Sequence, residues 1–285
     1  KDVYQYSVWV PKDYQPAKTY PVVFYLHGGG KGRKHPDNGK RNMVSATLLD
    51  NDRTTDAGYS RHQSGFHGYI LVSPVKPIAR WNARQFEWDL SQRCLIMGIV
   101  NVTPDSFSDG GRYLDTEAAL THARRLVDEG ADILDIGGES TRPGADPVGV
   151  DEECRRVLPA IEALAKEFPQ VALSIDTSKA AVARSATEAG AAIINDVTGL
   201  KGDPDMAGVA ADCGAGLVLM HMQGEPRTMQ AAPVYKNAVA EIAAFLECQG
   251  RLAVEAGVAR ECLAFDPGIG FGKGLDHNLQ ILKRL

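Results

Sequence analysis

From residue 94 onward the chain repeats one pattern: a short apolar run, a polar loop, then a longer stretch with apolar residues three and four apart. Strand-like runs fall at 95–100, 132–136, 171–175, 191–194, 217–220 and 263–265. Helix-period stretches cover 116–129, 151–168, a segment ending at Gly190, 204–213, 238–256 and a last one starting near Asp276. The strand-like runs are apolar at successive positions, as in strands covered on both faces. Strands alternating with helices predict βαβ units and a parallel sheet. Gly130, Gly214 and Gly257 stand where helices would stop. Even spacing without a long crossover favours a TIM-type (β/α) barrel over a doubly wound sheet, and a full barrel has eight units.

Residues 1–91 read differently. They hold the tryptophans and many turn residues, with strand-like runs at 4–11, 21–26 and 69–73. The expected fold class is therefore α/β: an incomplete TIM-type barrel of about six units over 92–285, preceded by a small α/β fragment over 1–91.

Composition narrows the function classes. Of the 285 residues 44% are hydrophobic and 24% charged, ordinary values for a globular protein. A net charge of −5 gives no reason to expect nucleic acid or a membrane surface as partner. The apolar runs are too short for a membrane span, and residues 1–14 do not read as a secretory signal. Cys94, Cys154, Cys213, Cys248 and Cys262 form no C-x-x-C pair. Neither a disulfide framework nor a zinc site is expected; a reducing, cytoplasmic setting is.

In a (β/α) barrel the site lies where strands end and loops begin. Those positions hold Asn101, Thr141, Asp176, Asn195, Met220 and Asp266, from six different strands. Two carboxylates at the rim of a buried core need donors or a cation, or their pKa rises. A heterocycle with adjacent N–H groups would supply those donors. Each residue also has a plainer use. Asp176, before Thr177-Ser178-Lys179, can equally cap the next helix. Asn195 and Asp196 can be loop-forming Asx residues, and Met220 alone reads as core. His221 and His277 lack paired spacing and read as structural rather than as metal ligands. The run Gly268-Ile269-Gly270-Phe271-Gly272-Lys273 could bring backbone near an anion, but does not match the dinucleotide fingerprint.

The loops themselves are more specific. Asn101-Val102-Thr103-Pro104-Asp105-Ser106-Phe107-Ser108-Asp109-Gly110-Gly111 resembles the first signature loop of the dihydropteroate synthase family, and Gly137-Gly138-Glu139-Ser140-Thr141-Arg142-Pro143-Gly144 resembles the second. Ser174-Ile175-Asp176-Thr177, Ile194-Asn195-Asp196, Leu219-Met220-His221-Met222-Gln223-Gly224 and Asp266-Pro267-Gly268-Ile269-Gly270-Phe271-Gly272-Lys273 follow in the family's order, over all of 94–285.

The resemblance implies a transferase of folate biosynthesis that condenses 6-hydroxymethyl-7,8-dihydropterin diphosphate with p-aminobenzoate, giving 7,8-dihydropteroate and diphosphate. It implies a pterin pocket of Asp176, Asn195, Met220, Asp266 and Gly270, with Asn101 at the diphosphate and its Mg²⁺. Phe107, Thr141, Pro143 and Phe271 would shape the p-aminobenzoate side, where sulfonamides also bind. Asp176, Asn101 and Thr141 are the implied catalytic groups, and a homodimer is the implied assembly. The family's Ser-Arg-Lys segment on the seventh strand and Arg-x-His segment on the eighth do not appear before Leu285. Little synthase activity is therefore expected of residues 1–285 alone.

In the first fragment, His27-Gly28-Gly29-Gly30 after an apolar run resembles the oxyanion loop of α/β-hydrolase esterases. No G-x-S-x-G nucleophile elbow accompanies it. An esterase-type hydrolase is thus one alternative function, and a non-catalytic pterin-binding barrel is another.

Overall fold

The computed structural model describes residues 24–25, 69–72, 80–90, 94–102, 111–139, 147–224, 229 and 233–284. Its strands are β1 (Phe24–Tyr25), β2 (Tyr69–Val72), β3 (Arg80–Ala83), β4 (Phe86–Asp89), β5 (Leu95–Asn101), β6 (Ile133–Gly137), β7 (Ala172–Asp176), β8 (Ile193–Asp196), β9 (Gly216–Met220) and β10 (Leu263–Asp266). The helices are α1 (Gly111–Asp128), α2 (Val150–Glu167), α3 (Ala180–Ala189), α4 (Met206–Cys213), α5 (Ala238–Glu255) and α6 (Leu275–Arg284).

Strands β5 to β10 pair in sequential order, each parallel to the next, with helices α1 to α5 between them. Their side chains divide by period two. Leu134, Ile136, Leu173, Ile175, Ile194, Leu217 and Leu219 pack outward against the helices. Leu95, Met97, Ile133, Ala172, Ile193, Val218 and Ala264 face inward and form one cluster. In a flat sheet β5 and β10 would stand roughly 24 Å apart, at about 4.8 Å per strand. Their sharing one inner cluster means that the sheet curls, giving the partial TIM-type barrel that the sequence predicts.

The hairpin β3–β4 closes the floor of this curl. Trp81, Ala83 and Leu90 belong to the inner cluster, and Trp81 Nε1 donates to the Cys262 carbonyl at 3.1 Å. Phe86 stacks on Trp88, with ring centroids 5.5 Å apart. Composition groups this hairpin with residues 1–91, yet its contacts are with the barrel. Trp81 is 2% exposed, so Trp81→Ala should destabilise the fold by about 4 kcal/mol through the cavity it leaves. Urea denaturation checks this; a loss below about 1 kcal/mol would contradict the plug, since Phe/Trp→Ala in a core costs several times that.

Strands β1 and β2 pair with each other, and β2 pairs with β5, both antiparallel. Within the runs 21–26 and 69–73, the described residues 24–25 and 69–72 thus reach the barrel sheet and extend its edge, but not as further parallel βα units. His27, Gly28 and Gly29, the proposed oxyanion loop, lie outside the described residues.

Candidate active site at the strand ends

The upper ends of the strands are polar, and the ladder register brings them together. Asn101, Gly137, Asp176 and Asn195 are successive partners across β5, β6, β7 and β8. Met220 and Asp266 are partners across β9 and β10. Gly137 supplies the space between them. A Cβ there would stand 3.5 Å from both Asn101 Oδ1 and Asp176 Oδ2, so these two oxygens face one gap. Thr141, Pro143 and Phe107 lie outside the described residues.

Asp176 does not cap α3. The Ala180 N–H donates to Asp203 Oδ2 at 2.9 Å, and the Lys179 N–H to Thr177 Oγ1 at 3.2 Å. Asp196 is the loop-former of its pair: Oδ1 accepts from the Thr198 N–H and hydroxyl, and Oδ2 from the Leu200 N–H. Asn195 instead turns into the barrel, where its Nδ2 donates to Asp135 Oδ2 at 2.9 Å.

Asp135 is not among the residues the sequence singles out. It sits mid-strand on β6, 2% exposed, one layer below the rim. A charged residue inside the run Ile133-Leu134-Asp135-Ile136 is the signal that could have found it. Its Oδ1 and the Oγ of Ser174, its register partner on β7, are buried without a hydrogen-bond partner.

The pocket is therefore rich in acceptors. Burial raises the pKa of Asp135 above the usual carboxylate range, against the polar side chains of Ser174 and Asn195. Asp176 is raised well above it, first by burial and then by Asp135, Glu153, Asp196 and Glu139. Burial pushes Asp266 up to about 6, although the Gly268 N–H donates to its Oδ1 at 2.7 Å and Lys273 is near. Such a site favours a ligand that brings N–H donors or positive charge.

One wall is a glycine loop clamped to the loop after β9. Gly268 has φ +67°, and a Cβ there would lie 2.1 Å from the His221 carbonyl oxygen. Lys273, 2% exposed, ties the loop down: Nζ donates to His221 Nδ1 at 3.0 Å, to the His221 carbonyl at 3.0 Å and to the Phe271 carbonyl at 2.9 Å. Burial lowers its pKa to about 7 despite Asp266, and burial followed by the Lys273 charge lowers that of His221 to about 4. His221 is thus a neutral acceptor for Lys273, matching its structural reading. Phe271 is buried against Met220 and Met229.

These shifts carry a pH prediction. A carboxyl with a raised native pKa contributes stability that is present below its unfolded pKa and is lost as pH rises through the native one. For Asp266 that window runs from about 4, the unfolded value, to about 6. Asp266→Asn should remove this loss, about 3 kcal/mol for two pKa units. Urea titrations of both proteins at pH 4 and pH 7 test it; equal differences between the two pH values would contradict it.

Comparison with known proteins agrees with this geometry. Residues 97–285 match the family of pterin binding enzymes. Over 190 residues the chain is 50% identical to the dihydropteroate synthase of Escherichia coli K12, covering 67% of each protein. The Yersinia pestis dihydropteroate synthase, solved with a sulfonamide drug complex, superposes with a TM-score of 0.65 at 49% identity, covering 71% of this chain and 72% of that one. The Burkholderia cenocepacia enzyme complexed with 7,8-dihydropteroate gives a TM-score of 0.61 at 45% identity, covering 70% and 67%. Among the described residues, no helix is long and apolar enough to cross a membrane. On sequence and fold together, the chain belongs to the pterin-binding enzymes and, among them, to the dihydropteroate synthase family.

Proposed function

We propose that this chain carries the pterin-binding face of a dihydropteroate synthase, which joins 6-hydroxymethyl-7,8-dihydropterin diphosphate to p-aminobenzoate. The observation that carries the reading is the set of acceptors at the strand ends, half-buried Asp176 with buried Asn195 and Asp266, both carboxyl groups being raised in pKa. The 2-amino-4-oxo edge of a pterin offers adjacent N–H donors to such a set. Asp176 takes a pair of them, Asn195 and Asp266 take others, and Met220 and Gly270 line the ring's surroundings. Phe271, with Thr141, Pro143 and Phe107, shapes the p-aminobenzoate side. Asp176, Asn101 and Thr141 are the groups assigned to catalysis.

The reaction needs no protein nucleophile. The bond from the exocyclic methylene carbon to the diphosphate oxygen breaks, and the electron pair leaves with diphosphate. The arylamine nitrogen then bonds to that carbon and its surplus proton passes to solvent. The carboxylate of Asp176 favours the positive charge that develops on the pterin.

Mg²⁺ takes oxygen ligands and commonly uses one or two protein groups with substrate phosphates and waters. The Asn101 amide oxygen, exposed at the end of β5 and facing the gap over Gly137, fits that role. When bound there, the ion neutralises charge on the departing diphosphate. We further propose that the barrel unit includes the hairpin β3–β4, that the preceding residues are an α/β-hydrolase-like fragment whose strands β1 and β2 add to the barrel's edge, and that the protein is a cytoplasmic homodimer.

Incubation of the chain with both substrates tests the function. Any 7,8-dihydropteroate formed should be matched by an equal amount of diphosphate and be suppressed by a sulfonamide. Pterin and p-aminobenzoate bound with little turnover also fit a chain of low activity, pterin bound with no affinity for p-aminobenzoate or a sulfonamide would favour the non-catalytic barrel, and cleavage of a nitrophenyl ester the hydrolase reading.

A further inference from the structure

We propose that Asp135 is a specificity-setting positioning residue: it locks the Asn195 side chain so that the amide oxygen, not the nitrogen, faces the ligand. The inference rests on the pterin reading above for its ligand, but not for its geometry.

An asparagine amide can present either end to a pocket, and which end it presents is fixed by its partners. Asn195 is 4% exposed, so water does little to orient it. Its Nδ2 lies 2.9 Å from Asp135 Oδ2. At a pH high enough to ionise Asp135 its carboxylate only accepts, so this contact requires the NH₂ end and turns Oδ1 away from Asp135. Asp176, the register neighbour of Asn195, also presents oxygens. The two side chains then form a continuous acceptor edge and select a ligand edge made of N–H groups. Asp135 is well placed for this task and little else. It lies on the inner face of β6 between Ile99 and Ser174 in register, and its hydrogen bond to Asn195 is its link to the rim.

The test uses the full chain labelled with ¹⁵N, at pH 8. The Asn195 side-chain NH₂ pair is identified by its loss in Asn195→Asp. In the ligand-free wild type this pair should be shifted downfield and slow to exchange, and Asp135→Ala, which leaves no acceptor there, should return it to the position of a free amide. An unshifted, fast-exchanging pair in the wild type overturns the proposal whether or not any pterin binds. For the ligand, 6-hydroxymethyl-7,8-dihydropterin is the probe. Asp135→Ala should weaken it by about ten-fold, the loss of one hydrogen bond of this kind. Combining Asp135→Asn with Asn195→Asp should recover most of that loss. The amide at position 135 would then donate to the carboxylate at position 195, and an acceptor would again face the ligand. A double variant no better than Asp135→Ala, with both equally stable by thermal melting, overturns the proposal. Absence of pterin binding by a folded wild type defeats the functional reading alone.

Discussion

Asp176→Asn is expected to lower the affinity for 6-hydroxymethyl-7,8-dihydropterin by roughly a hundred-fold or more, two charge-assisted hydrogen bonds being at stake. A carboxylate offers two acceptors to a pair of adjacent N–H groups; an amide offers one acceptor and sets an NH₂ against the second donor. The same change should stabilise the ligand-free protein at neutral pH. The native pKa of Asp176 is held well above its ordinary value, by burial first and by Asp135, Glu153, Asp196 and Glu139 after it. Its contribution is therefore intact below the unfolded pKa and is lost as pH rises toward the native one, a loss that asparagine does not suffer. A helix cap would behave in the opposite way, since its removal costs stability, but Asp203 and Thr177 do that work for α3. Calorimetric titration and urea denaturation measure the two effects. Affinity within about three-fold of wild type, less than half the worth of one hydrogen bond, would remove Asp176 from the site.

Gly268→Ala is expected to destabilise the protein by about 3 kcal/mol and to abolish pterin binding with it, because strain and steric overlap act together. At φ +67° any Cβ is strained, and here it would also lie 2.1 Å from the His221 carbonyl oxygen. That carbonyl cannot simply retreat, because it accepts from Lys273 Nζ and follows directly on Met220 in β9. Relief would lift the whole 268–273 loop and move Asp266 and Phe271 with it. Gly208→Ala is the control. Gly208 lies inside α4 with open space where its Cβ would be, so alanine should add about 0.5–1 kcal/mol through helix propensity. A Gly268→Ala variant as stable as wild type would contradict the clamped loop.

How much of this could be read from the sequence differs by element. The six parallel strands and their helices were legible because hydrophobic period and helix-stopping glycines agree, and Gly130, Gly214 and Gly257 all adopt positive φ. Helix α1 begins at Gly111 rather than near 116, its first residues carrying no apolar period of their own. The strand ends were legible as a group. Their division of labour was not, because Asn195 and Asp196 look alike in sequence yet face opposite sides of the sheet. The alternation that separates them is hidden in strands apolar on both faces. Asp135 is hidden for the same reason. Lys273 looked like the end of an anion-binding glycine loop; in the fold it is buried and holds that loop to His221 and Phe271. The hairpin β3–β4 escaped notice because it is only two four-residue strands and a turn, with Arg84 at φ +53° in that turn. Its composition sided with the preceding segment, whereas packing of Trp81 decides its place.

The strand ends of this barrel are proposed to form a pterin pocket. Titration of the folded chain 1–285 with 6-hydroxymethyl-7,8-dihydropterin, followed by calorimetry, tests it most directly. Saturable binding of one pterin per chain is expected, lost in Asp176→Asn and unaffected by Gly208→Ala. No heat of binding from a chain that melts cooperatively, or binding that survives Asp176→Asn unchanged, would contradict it.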